Sequence, residues 1–139
     1  MQPLNIQHMI DEDKELVLRD LSARLPYGVK VHWNGEHELV KLYRISFYGK
    51  NVDEHIVNGL GQPEPGYEFD MHIEDIKPYL RPLSSMTDED ESKWMKVLLN
   101  PEYSCSGDDW LLEHHFDIRH LIERGLALEA PQGMYEVQD

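Results

Sequence analysis

Near the C-terminal end, Glu113-His114-His115-Phe116-Asp117-Ile118-Arg119-His120 gathers carboxylates, imidazoles and a guanidinium in one short run. On an α-helix, which turns 100° per residue, Glu113, Asp117, His120 and Arg124 share one face at i, i+4, i+7 and i+11. Oxygen and nitrogen ligands on adjacent turns can reach a common point, the chemistry of a divalent metal site in a small hydrolase. The same spacing also describes a solvated polar face, and two features favour that reading. Trp110, Leu111, Ile118, Leu121 and Ile122 occupy the opposite face, which marks it as the buried side. Three ligands on one straight helix also need a fourth from elsewhere, and no segment advertises it. Glu113, Asp117 and His120 are the metal-ligand candidates; no catalytic residue is assigned and no cofactor is expected.

The other reactive residues have structural readings. His114 projects between Trp110, Ile118 and Leu121, so a neutral, hydrogen-bonded ring at the core margin is expected. His32, His37, His55 and His72 fall on polar strand faces or turns. Cys105, in Ser104-Cys105-Ser106-Gly107 before a helix start, lacks the positioned histidine that a catalytic thiol needs. Trp33, Trp94 and Trp110 are expected in the core or at a junction. The chain has no Walker loop, dinucleotide fingerprint, HExxH or nucleophile elbow.

The elements that would position these groups change character at Ile73–Asp88, IEDIKPYLRPLSSMTD. Before it, apolar residues mostly alternate with polar ones; after it, they recur at helical spacing. A first helix is predicted over Asp11–Leu25, with Leu18, Leu21 and Leu25 on one face and Pro26 and Gly28 ending it. Val29, Val31 and Trp33 read as a strand, Asn34-Gly35 as a hairpin turn, and Glu38–Phe47 as the return strand, with a bulge or two-sided burial. A third strand is expected at Val52–Val57, a breaker-rich loop at Asn58–Gly66, and a strand whose Tyr67, Phe69, Met71 and Ile73 point inward. IEDIKPYLRPL reads as a proline-pinned linker, with Tyr79-Leu80 as a possible short closing strand. Thr87 caps a helix running to about Leu99, and Asp108 caps a second over Asp109–Arg124, closed by Gly125. The reading is α+β: an N-terminal helix, a small bent antiparallel sheet of which an SH3-like barrel is one closed form, and a C-terminal helical pair. One domain is expected across 1–139, sheet-rich over about 26–82 and helical over about 83–139.

Twenty-seven acidic residues against 13 basic ones give a formal charge of −14 over 139 residues. That balance repels polyanions, so direct nucleic-acid binding is not expected, and it suits a basic partner. The single cysteine, the absence of a signal-like start and the lack of a membrane-length apolar run suggest a cytoplasmic protein with no membrane association.

Three blocks, LPYGVKV at Leu25–Val31, IEDIKPYLRPLSSMT at Ile73–Thr87 and HHFDIRHLIERGLALEAPQGMY at His114–Tyr135, resemble a family of small uncharacterised proteins from Bacteroidetes prophage and mobile-element regions. The resemblance implies a genomic setting and carries no activity or catalytic residue. Function is therefore expected to be that of a non-catalytic accessory or protein-binding module, phage-related, with an unidentified protein partner. A form that mimics nucleic acid would need carboxylates spaced like phosphates. The alternative is the metal-dependent hydrolase built on Glu113, Asp117 and His120.

Overall fold

The computed structural model describes residues 9–34, 37–61, 68–100, 102 and 107–135. Helix α1 spans Asp11–Arg24, its acidic first turn lying at the positive end of the helix dipole. Its buried stripe is Lys14, Val17, Asp20, Leu21 and Arg24, so half-buried Leu18 and Leu25 flank the core rather than define it. A 3-10 turn, Leu25–Tyr27, follows, and Gly28 ends it in the left-handed region at φ 73°.

The strands are β1 (Lys30–Trp33), β2 (His37–Ser46), β3 (Ile56–Gly61), β4 (Glu68–His72), β5 (Ile76–Leu80) and β6 (Leu128–Glu129). They form one mixed sheet in the order β4-β3-β2-β1-β5-β6, antiparallel except for β5 with β6. β4 and β6 are its two edges, so the sheet is open and the SH3-like barrel is not formed. Of the predicted hairpin turn, Gly35 lies outside the described residues. The predicted irregularity in β2 is present as a register shift between Leu42 and Arg44, which changes the face that the strand turns inward. Val40 and Leu42 are buried while Tyr43 and Phe47 are exposed.

Two strands differ from the sequence reading. Val52–Glu54 is a 3-10 turn, and β3 continues through Asn58–Gly61, where a loop was expected. Residues 62–66 of that loop, and Tyr67, expected to face inward at the start of the next strand, lie outside the described residues. A Cβ on Gly59 would stand 2.4 Å from Val40 Cγ1 and 2.9 Å from the Lys41 carbonyl oxygen. Glycine there permits close approach of β2, so it serves the strand that it seemed to break.

The linker Ile76–Leu80 is also a strand, between β1 and β6. Asn34 N–H donates to Asp75 O at 2.8 Å, and hydrogen-bonded pairs alternate along an antiparallel ladder. The Val31↔Pro78 pair is therefore a non-hydrogen-bonded one, and the missing N–H of Pro78 faces away from β1. On that side β6 pairs only with Tyr79 and Leu80.

Helix α2, Asp88–Leu99, begins with the capping box of Thr87 and Asp90. Helix α3 spans only Gly107–Glu113. The predicted helix to Arg124 is thus cut short, and the reason is backbone geometry at His115, φ 64°. Its N–H donates to Leu112 O (3.0 Å) and that of Phe116 to Leu111 O (2.9 Å), a Schellman closure with histidine as the left-handed residue. His120, φ 57°, turns the chain again. Gly125 does close a Schellman pattern, through Leu126 N–H to Leu121 O (2.9 Å), but on the single turn Leu121–Gly125.

The main core joins Val17 and Leu21 of α1 to Val31, Val40, Val57, Met71, Ile76 and Leu80 of the sheet and to Leu121, Leu126 and Ala127. A second cluster, Trp110, Leu111 and Phe116, packs with Leu83, Met86, Trp94, Val97 and Ile118. Among the described residues no helix is long and apolar enough to cross a membrane.

Candidate functional site

The broken helix decides the fate of the metal-ligand candidates. Glu113 is the exposed last residue of α3, Asp117 is buried beyond the His115 turn, and His120 is exposed on the next turn. Both Asp117 oxygens are engaged by backbone, Oδ1 accepting from Leu121 N–H (2.8 Å) and Oδ2 from Ile122 N–H (3.0 Å). Asp117 is therefore the cap of the turn that follows. His120 Nδ1 lies 3.8 Å from Glu123 on the surface. The three do not share a face, and among the described residues no group of three His, Cys, Asp or Glu side chains converges as a metal site.

Asp117 belongs to a buried polar network that the sequence reading missed. The Asp20 carboxylate takes Arg24 Nε at 2.8 Å and Nη2 at 3.2 Å, and Arg119 Nη1 at 2.8 Å. Asp20 and Arg24 are fully buried. Arg24 Nη2 also donates to Phe116 O at 2.6 Å, which fixes the chain immediately after His115. Arg81, the residue after β5, holds the same segment through an isolated bridge with Phe116: its N–H donates to His115 O, its carbonyl accepts from Asp117 N–H, and its guanidinium reaches Asp90 (2.9 Å) and lies 4.0 Å from the Phe116 ring centroid. A signal did exist: Asp20 and Arg24 stand at i, i+4 on the stripe that contains Val17 and Leu21.

This network supports one wall of a cleft lined by Tyr27, Gly28, Lys30, Lys41, Glu113, His114, His115, Met134 and Tyr135. Lys30 and Lys41 come from directly opposite positions of β1 and β2. The Lys41 stem lies across Gly28, its Cε 3.0 Å from where a Cβ would be. Lys30 Nζ donates to Met134 O at 3.2 Å. On the other wall, His114 lies stacked on Trp110 with centroids 4.0 Å apart, as the core-margin reading expects. Its Nδ1 meets Trp110 O at 2.8 Å, so that nitrogen carries the proton and Nε2 is the one that can meet a ligand.

His115 stacks on Tyr135 with centroids 3.7 Å apart. Burial, with the nearby charges of Arg24, His114 and Arg81, lowers its pKa to about 3, against a backbone hydrogen bond with Tyr27. The ring is neutral at pH 7. Tyr135 is held protonated because burial raises its pKa. Its hydroxyl accepts from Lys30 N–H (2.8 Å) and donates to Tyr79 O (2.9 Å). By the alternation of the ladder, Lys30 and Tyr79 would be the next hydrogen-bonded pair; the tyrosine hydroxyl stands between them.

Of the remaining histidines, His32 Nδ1 lies 3.4 Å from the Tyr79 hydroxyl and His72 is exposed. His55 stands at a turn, as expected, closing Val52–Glu54, but it is buried, with its ring roughly perpendicular to that of Phe47. The side chain of His37 and all of Cys105 lie outside the described residues. Trp110 is buried, and Trp33 and Trp94 are half-buried.

Compared with known proteins, the chain matches no family model, no curated protein and no solved structure.

Proposed function

We propose that this chain is a non-catalytic binding module that receives a basic, amphipathic segment of another protein along the outer face of α2. The observation that carries this reading is the apolar surface that α2 leaves open. No residue of the helix is buried, and Met95, Leu98 and Leu99 are 41%, 48% and 75% exposed. Asp88, Glu91, Met95 and Leu98 succeed one another at i, i+3, i+7 and i+10, so an acidic end and an apolar end share one face. Helical segments dock on such faces through anchors at the same spacing. Asp90 is committed to Thr87 and Arg81, and Glu89 faces Lys93 at 3.2 Å. Asp88 and Glu91 have no ion pair among the described residues, and the formal charge of −14 favours a cationic partner. The resemblance to mobile-element proteins concerns the genomic setting, and the reading does not depend on it.

The test is a native-host pull-down with three baits: the unaltered chain, Leu98→Asp/Leu99→Asp, and Asp88→Lys/Glu91→Lys. A protein recovered by the first and lost by the second, with helical circular dichroism retained, supports the reading. The charge-reversed bait should bind weakly, and association should fall as salt rises. Recovery that neither pair of substitutions changes would refute it, as would tight binding of duplex DNA by the unaltered chain.

A further inference from the structure

The cleft between β1, β2 and the end of α3 is remote from that face in its chemistry. In a chain with more than twice as many acidic as basic residues, two lysines stand directly opposite each other on neighbouring strands. Like charges in that relation destabilise a ladder unless something lies between them to neutralise them. Among the described residues neither lysine is within salt-bridge distance of a carboxylate. Each stem is nevertheless positioned, Lys30 by the Met134 carbonyl and Lys41 by its passage over Gly28.

We propose that this cleft binds a small oxyanion-bearing molecule, its phosphate or carboxylate between the Lys30 and Lys41 ammonium groups and a hydroxyl or amine of the same molecule against Glu113 and His114. The cleft has a volume of ≈360 Å³, the size of a small metabolite. Two rigid features back it. The buried Arg24 guanidinium, paired with Asp20 through Nε and Nη2, leaves Nη1 without a hydrogen-bond partner among the described residues. His115, the buried residue of the cleft, is held neutral first by burial and then by the nearby Arg24 and Arg81 guanidinium groups, so it adds no charge of its own to the site. Glu113 gives the cleft polarity: as a carboxylate on the facing wall it repels a second anionic group and accepts hydrogen bonds from a donor. No bond is made or broken in this binding, and the site is independent of the α2 face.

The experiment is a titration of the isotopically labelled full chain with inorganic phosphate, and separately with acetate, against chloride at matched ionic strength. Amide resonances of Gly28, Lys41 and His114 should move along a saturating curve with phosphate, acetate or both; whichever saturates identifies the oxyanion. Lys41→Met, at an exposed position, should weaken binding by about five-fold or more without lowering the melting temperature. Glu113→Gln should strengthen binding, a change of sign that unfolding cannot imitate. Lys93→Met on α2 should leave the curve unaltered. Shifts that grow linearly and match those in chloride, or curves unaffected by both Lys41→Met and Glu113→Gln, would overturn the proposal.

Discussion

Helix α2 and the segment from Gly107 to Gly125 carry similar helical signals, yet they solve opposite problems. α2 has a full capping box, runs its predicted length and buries no residue. The 107–125 segment stays helical for seven residues, turns twice through left-handed histidines, and buries Trp110, Leu111, Leu112, His115, Phe116, Asp117 and Leu121. Local signals decide conformation where tertiary contacts are few. Where many groups must be buried together, backbone regularity yields to the placing of Phe116 in one cluster and Leu121 in the other.

The sharpest way to break this contrast is at Asp20. Asp20→Ala leaves the Arg24 and Arg119 guanidinium groups without their shared carboxylate, one of them fully buried. Chemical denaturation should show a loss of about 3–5 kcal/mol. A loss of a few tenths would mean that the network does not hold the irregular segment. Next is Asp117→Ala, which strips the acceptors from two backbone amides at a buried cap. It should cost about 2–3 kcal/mol, where a residue on a solvated helical face would cost less than about 0.5.

Acid should act on the buried segment before it acts on α2. The unfolded His115 ring takes a proton as pH falls through about 6.5, whereas the folded ring resists until about 3. Between those values the unfolded state binds more protons, so stability falls with falling pH by about 1.4 kcal/mol per unit. At pH 5 this contribution reaches about 2 kcal/mol. His115→Asn tolerates the left-handed backbone and does not titrate, so its stability should depend less on pH across that window. Equal slopes for the two proteins would remove His115 as the cause. The smallest effect belongs to the regular helix: Thr87→Ala removes the cap acceptor for Asp90 N–H and should cost about 1 kcal/mol. Hydrogen exchange should rise in α2 and leave Leu111–Phe116 protected.

Legibility in the sequence follows the same divide. The α+β class, α1, the opening of β1 and α2 with its Thr87 cap follow from caps, breakers and periodicity, which are local. Gly59 and Pro78 misled because a breaker acts differently in a strand whose neighbour needs room or makes no bond at that position. The interruption of α3 had a weak signal, since histidine is among the residues enriched in the left-handed region, but helical periodicity on either side masked it. The candidate metal face depended wholly on that continuity. Lys30 and Lys41 could not be paired without the hairpin register, and neither could be joined to His114 without knowing that the chain returns beneath them. Asp20 and Arg24 were open to notice, being charged residues on an apolar stripe.

The Tyr135 hydroxyl bonds Lys30, 105 positions earlier, and Tyr79, 56 positions earlier. β6, which flanks β5, also comes from the end of the chain. During synthesis the first four strands can assemble as a meander soon after they emerge, but β5 must wait with one side uncovered until residues 128–135 have been made. Such late, long-range closure slows folding and prolongs exposure of an unpaired strand. The helices between β5 and β6 are thus also a delay, and cells that make this protein quickly would hold a pool of chains with β5 still open to pairing with the wrong strand.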